Sequence, residues 1–470
     1  MAVIERKQHS GLSITGHWLF IVASGVISFL SKDSLLFFAG MVLLYAFLYF
    51  FFNKSVPPVL LFSAFLIWLF FQGQLIDGLA KGKDIIHLDY LSSSRPLVIT
   101  LGMISSFFFF LGIYCVVRRM PQLNYEQIKS FFFRIDLSRL FRVYLIIYFG
   151  IFLVEKLIWL VPGLSQPLFI LAQFKWSLFF LLFTAVFVQK KMKGVLLLLI
   201  LLDIALGFFS FFSHFKEPIY FSFLAYWVFF FRQSFPIKLL AFGVVISMYY
   251  LGTYWTAVKE DYRAFLNKGS GAQSIRVSRE EAYSKLIELV SGVKQNDLDK
   301  GADKLLTRLS WIGALDAVYN YVPKKRPYED GSLWLEGLVR PFQPRLFFPE
   351  KKILADSKEL NEYSGLGVDE KNTSISLSLI AGSYVDFGIW GMHVPIFLFG
   401  LFCGWVYRKV LRWGIYPMIG FALTMPMIYL FKIAEQSINR TVSSIILYFL
   451  VVWFIQKFFL KPFLNFVLVK

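Results

Sequence analysis

The chain has 470 residues, 57% of them hydrophobic and only 17% charged, with a formal net charge of +18. That usage is far from a soluble domain and describes a polytopic membrane protein. A disulfide framework and a cysteine metal cluster are both excluded, because Cys115 and Cys403 sit alone inside apolar runs.

The start, "MAVIERKQHSGLSITGHW", is basic, but the apolar run behind it lacks a small-residue cleavage site and reads as a first span rather than a removed signal peptide. A hydrocarbon core takes roughly 20 apolar residues per helix. About twelve such runs follow one another, near 12–31, 35–52, 58–79, 97–117, 143–161, 168–188, 195–213, 217–231, 237–256, 377–407, 415–434 and 441–460. The expected fold is an all-α membrane protein with a large, mostly helical extracytoplasmic loop between spans 9 and 10. It divides into a nine-span bundle (1–256), the loop domain (257–372) and a three-span bundle (373–470). Basic residues support this alternation through the positive-inside rule. Arg118, Arg119, Lys129, Arg134, Arg139 and Arg142 share one loop, and "QKKMKG", "RQSFPIK", "RKVLRW" and the tail at Lys470 fall on the same side. Both termini are therefore expected in the cytoplasm.

The loop from Lys259 to Lys371 has about 19 basic and about 18 acidic residues, so the excess charge belongs to the membrane part and no nucleic-acid partner is needed to explain it. "SREEAYSKLIELVSGV" carries a serine N-cap, early glutamates and helical apolar spacing that ends near Gly292. "DKLLTRLSWIGALDAVYNYVP" reads as a second helix stopped by Pro323. Arg308 falls on its apolar face with Asp316 beside it, as an ion pair or as a ligand-binding cation.

Next comes "YEDGSLWLEGLVRPFQPRLFFPEKK" and then "NTSISLSLIAGSYVDFGIWG". An arginine-bearing helix followed by these two stretches resembles bacterial O-antigen and exopolysaccharide repeat-unit polymerases of the Wzy type. Pro344, Arg345, Pro349 and Lys351 match the family's order of Pro-Arg, proline and lysine. Gly382, Tyr384, Phe387 and Gly388 match its later Gly-Glu-x-Tyr-x-x-Phe-Gly pattern, with Ser383 in place of the acid. The resemblance is specific over roughly 302–391. It implies a glycosyltransferase of the bacterial inner membrane that joins oligosaccharide units carried on a polyprenyl diphosphate, with membrane lipid and a chain-length regulator protein as partners and no cofactor.

Such a reaction needs positive charge at the departing diphosphate and help in deprotonating the acceptor hydroxyl. The five histidines are scattered and no His/Asp/Glu group has metal-ligand spacing, so arginine and lysine take the electrostatic role. The expected catalytic residues are Arg308 and Arg345, with Glu217 or Glu435 as the base. The expected substrate contacts are Lys216, Lys259, Arg263, Arg340, Lys351 and Tyr384. "FFSFFSHFKEPIYF" sets His214, Lys216 and Glu217 at a turn between spans, and "TYWTAVKEDYRAFLN" sets Lys259 and Arg263 where span 9 emerges. Glu155, Lys156, Lys175, Asp203, Asp386, Lys432, Glu435 and Arg440 also lie in or near spans, where ionisable groups mark a cavity or pathway if they face the bundle interior.

Two other classes have a similar number of spans. A lipid-oligosaccharide flippase has no need of a folded outer insertion, and a metal-using lipid-dependent glycosyltransferase carries paired acids in its first outer loop, where this chain has only Asp33. A membrane cysteine transpeptidase is ruled out for want of an outer cysteine.

Overall fold

With no water in the hydrocarbon region, every backbone N–H and C=O must be bonded within the chain, so long apolar runs fold as helices. The computed structural model describes residues 14–51, 59–84, 94–120, 125–160, 165–208, 214–230, 235–269, 276–309, 312–343, 347–348, 350–351, 356–369 and 375–469. The first half comprises α1 (Ile14–Leu30), α2 (Ser34–Phe51), α3 (Val59–Lys81), α4 (Arg95–Val117), α5 (Tyr125–Phe133), α6 (Leu137–Leu160), α7 (Ser165–Gln173), α8 (Lys175–Gln189), α9 (Lys193–Phe208), α10 (Glu217–Phe230) and α11 (Phe235–Leu266). Then come α12 (Arg279–Ser291), α13 (Gln295–Leu309), α14 (Ile312–Tyr321), α15 (Ser332–Val339) and α16 (Asp356–Ser364). The C-terminal part holds α17 (Leu379–Gly391), α18 (His393–Trp413), α19 (Pro417–Thr424), α20 (Ile438–Phe458) and α21 (Leu460–Val467). The only β pairing among the described residues is an isolated bridge between Ile135 and Leu468.

Six helical stretches are long and apolar enough to cross a membrane: Ser34–Phe51, Val59–Lys81, Arg95–Val117, Gln166–Gln189, His393–Trp413 and Ile438–Phe458. The protein is thus an all-α, multi-pass membrane protein. Among the described residues some of the expected spans are interrupted, and the run 168–188 divides at Phe174 into α7 and α8. The run 377–407 kinks at Gly388 (φ 65°, ψ −169°), inside α17, and α18 follows from His393. The run 415–434 becomes the short α19, a 3-10 turn at Met425–Tyr429 and an irregular stretch before α20. Pro426 has no N–H for a helical bond, and the 3-10 turn begins around it. Irregular backbone is tolerated at membrane depth only where protein covers it. Met425, Met427, Phe431 and Ile433 are indeed almost fully buried.

The chain's two halves meet where α4 packs along α18. Gly112, Gly400 and Gly404 lie in that seam, and a Cβ on Gly400 would sit 2.2 Å from the Phe109 carbonyl oxygen, so small residues permit the close approach. One end of the bundle carries the long connection: Lys81, closing α3, pairs with Asp303 of α13 at 2.9 Å, and Ser94, before α4, hydrogen-bonds Asp316 of α14. At the far end of α4 the basic loop around residues 134–139 packs beside the C-terminal helix. There Asp136 N–H donates to the Val467 carbonyl at 2.8 Å, Arg139 donates to the Phe466 carbonyl at 3.1 Å, and Arg134 lies over the Tyr416 ring.

Within the long connection, α12 starts as its sequence predicts. Ser278 and Glu281 form a reciprocal capping box, and Gly292 closes the helix. The second expected helix is described as α13 and α14, and residues 310 and 311 between them lie outside the described set.

Candidate functional site

The turn between α9 and α10 is the point where polar groups concentrate. After α9 the chain resumes as a 3-10 turn, His214–Lys216, and Glu217 opens α10 with Pro218 behind it, at a position where proline loses no helical bond. The turn folds tightly back on α9. A Cβ on Gly207 would lie 2.3 Å from the Phe215 nitrogen, so only glycine allows the contact. Phe215 is buried, stacks on Phe208 at 4.2 Å and meets Trp255 of α11 at 5.4 Å.

This clamp fixes the carboxylate of Glu217, which is 9% exposed. His214 Nδ1 lies 2.9 Å from Glu217 Oε1. An ionised carboxylate only accepts, so Nδ1 carries the proton and Nε2, on the opposite side of the ring, is the basic nitrogen. The His214 side chain is half exposed. Glu217 is also hydrogen-bonded by the Tyr429 hydroxyl, to which the Tyr220 hydroxyl donates at 2.8 Å. The 3-10 turn that interrupts the α19 run therefore brings Tyr429 to the carboxylate.

Beneath this lies a second set of charges. Lys175, the first residue of α8, acts electrostatically on Glu217 and stands 3.7 Å from Asp203 of α9. Asp203 accepts from the Tyr148 hydroxyl at 2.9 Å, and the ammonium lies 4.4 Å over the Trp176 ring. Buried carboxylates need such partners, and Asp203 and Glu217 both have them. Lys175 and Asp203, flagged in the sequence only as charges near spans, thus face inward.

Three expected substrate contacts share this end of the bundle. Lys216 is exposed on the turn itself. Lys259 lies four residues beyond Trp255 on α11, hence on the same helix face, and is 6% exposed. Arg263 follows one turn later.

The two motif stretches of the sequence pack on each other. Asp386, 1% exposed, accepts from the backbone N–H of Leu333 (3.2 Å) and Trp334 (2.9 Å) and so caps the start of α15. Gly331, at φ 93°, is the residue before that helix, and Glu329 N–H donates to the Val385 carbonyl at 3.0 Å. Ser383, which stands where the family pattern has an acid, accepts from the Trp334 indole at 3.0 Å.

Several expected site residues have structural partners there. Tyr384 is 3% exposed, and its hydroxyl donates to the Val322 carbonyl at 2.8 Å, a bond that ties α17 to the end of α14. The Lys351 ammonium donates to the carbonyls of Arg340 (2.7 Å) and Gln343 (2.8 Å), closing the turn after α15. Arg340 is buried and pairs with Glu336 at 3.1 Å. Glu435 is largely exposed and 3.5 Å from Lys432. Arg440, in the first turn of α20, pairs with Asp356.

Arg345 lies outside the described residues. Arg308 lies on α13, with its side chain outside the described set. Its suggested partner Asp316 accepts from Ser94 and from Asn320 (3.2 Å), and the guanidinium of Arg95, 1% exposed, neighbours it. Sequence reading passed over Arg95, whose only signal was the polar run "SSSRP" before an apolar span.

A model of a domain of unknown function, DUF8712, matches residues 102–464. The chain belongs to the DUF8712 family. The matched region runs from α4 to α21 and so includes the His214–Glu217 turn, both motif stretches and the α4–α18 seam. No curated protein and no solved structure matches this DUF8712 chain.

Proposed function

We propose that this DUF8712 protein polymerises oligosaccharide repeat units carried on polyprenyl diphosphate, at the outer face of a bacterial cytoplasmic membrane. The observation that carries the reading is the His214–Glu217 pair at a turn that shares its end of the bundle with Lys216, Lys259 and Arg263. The motif resemblance over 302–391 supplies the substrate class.

In this reading an acceptor sugar hydroxyl attacks the anomeric carbon of the donor chain. The new glycosidic C–O bond forms as the bond to the diphosphate breaks, and polyprenyl diphosphate leaves with the electron pair. The hydroxyl proton passes to His214 Nε2. Glu217 positions the imidazole and stabilises its charged form, a role different from the direct base expected from sequence. Lys216, Lys259 and Arg263 stabilise the negative charge growing on the leaving group, and Arg308 and Arg345 are the further cations the resemblance brings to that role. A chain-length regulator protein is the partner implied for control of polymer size.

The test is polymer length on a gel, normalised to membrane protein, in cells lacking the native gene. His214→Ala should lower polymer by about a hundredfold or more, the effect of losing a general base. Glu217→Gln should leave residual activity with an altered pH profile, because the imidazole remains but its orientation and charge stabilisation are weakened. Normal polymer from well-expressed His214→Ala refutes the assignment of the base. Absence of product from purified wild type with polyprenyl-diphosphate oligosaccharide refutes the reaction class.

A further inference from the structure

α12 is amphipathic in an unusual division. At about 100° per residue its apolar side chains Ala282, Tyr283, Leu286, Ile287, Leu289 and Val290 fill an arc of about 160°. One half of that arc, Ala282, Leu286 and Leu289, packs on Tyr262 and Leu266 of α11. The other half, Tyr283, Ile287 and Val290, is 53%, 50% and 44% exposed. These three recur at i, i+4 and i+7, so they form one stripe along the helix rather than scattered surface residues.

The stripe is continuous with a surface that faces lipid. Near the end of its apolar run α11 reads "SMYYLGTYW", with Tyr249, Tyr250, Tyr254 and Trp255 within seven residues. Tyrosine and tryptophan concentrate at the boundary between hydrocarbon and headgroups, and these three tyrosines are 43%, 60% and 40% exposed. Between that girdle and α12 runs an apolar groove of about 670 Å³, lined by Phe208, Tyr250, Tyr254 and Trp255 on one side and by Ile287 and Val290 on the other. α12 as a whole carries Glu280, Glu281 and Glu288 against Arg279 and Lys285, and this slight acidic excess gives anionic headgroups no net attraction to the helix. Three half-exposed side chains offer far less than the roughly 800 Å² per partner of a stable protein interface.

We infer that α12 is an interfacial helix. It lies in the headgroup boundary at the loop end of the bundle, its free stripe is immersed in lipid, and the groove it roofs takes an acyl chain of a net-neutral phospholipid. The long connection is then seated on the membrane beside α11. This inference is independent of the proposed reaction.

The test places a benzophenone side chain at 287, 290 or 288 in the full-length protein, reconstituted in phosphatidylcholine vesicles, with adducts read by mass spectrometry after illumination. Positions 287 and 290 should yield at least about fivefold more phospholipid adduct than 288, because only the former pair faces the chains. Replacing half of the lipid with phosphatidylglycerol should leave the yield unchanged. Equal yields at all three positions overturn the inference, and so does a chain-to-chain crosslink at 287, which would put a second copy on the stripe. A yield that rises severalfold with phosphatidylglycerol overturns the assignment of a net-neutral lipid. Protein monodispersity, checked for each variant, separates these outcomes from misfolding.

Discussion

Replacing Asp386 with alanine removes the acceptor that joins the two motif stretches. Its carboxylate takes hydrogen bonds from the Leu333 and Trp334 amides at 3.2 and 2.9 Å, and it is 1% exposed, so water does not fill the vacated place freely. A hydrogen bond to a charged group contributes about 1.5–3 kcal/mol, and a buried donor left without a partner costs about 1–3 kcal/mol. These are two views of the same loss, and with two amide donors left unpaired a total of about 2–6 kcal/mol is expected for Asp386→Ala. Asp386→Asn keeps one accepting oxygen but loses the charge at the α15 N-terminus, and about 1–2 kcal/mol is expected. The assay is thermal unfolding of the purified protein in detergent, with limited proteolysis between residues 326 and 343 as a local readout. The alanine variant should unfold first and become cleavable near α15, and the asparagine variant should fall between it and wild type. An Asp386→Ala protein as stable and as protease-resistant as wild type would show that the two stretches hold together without this cap.

Two further outcomes follow from the same region. Burial disfavours the charged form of Glu329, but hydrogen bonds from Arg326 and Tyr363 outweigh it and hold its pKa below the usual carboxylate range. Its stabilisation is therefore fully present above the unfolded carboxylate pKa and is lost as pH falls through the lower folded value; a stability profile from pH 7 down to pH 3 should lose part of its acid slope in Glu329→Gln. Tyr384→Phe deletes the bond to the Val322 carbonyl, for which a destabilisation of about 1 kcal/mol is expected, and polymer at matched protein level should be unchanged. Strong loss of polymer from stable Tyr384→Phe would return the residue to the substrate site.

Local patterns in the chain were legible. The serine box that starts α12 and the proline that stops α14 both follow from nearest-neighbour chemistry. Interruptions inside apolar runs were not legible, because Gly388 and Pro426 are compatible with a continuous span until the backbone around them is known. At the site, His214 and Glu217 were visible as neighbours three residues apart, but their roles depend on Tyr429 and Lys175, which approach from other helices. The motif match placed Lys351 and Tyr384 with the substrate on residue type alone. Both have their polar atoms on backbone carbonyls, a use that no spacing rule distinguishes from ligand binding.

The segment formed by the 3-10 turn at Met425–Tyr429 and the irregular stretch after it touches both polar regions of the protein. Its first end supplies Tyr429 to the His214–Glu217 turn. Further along, the Ile433 and Gln436 carbonyls accept from the Ile380 and Leu379 amides at 3.4 and 2.7 Å, at the start of the helix that carries Asp386. One short run of backbone between Tyr429 and Gln436 thus joins the motif module to the polar turn by chain connectivity as well as by packing.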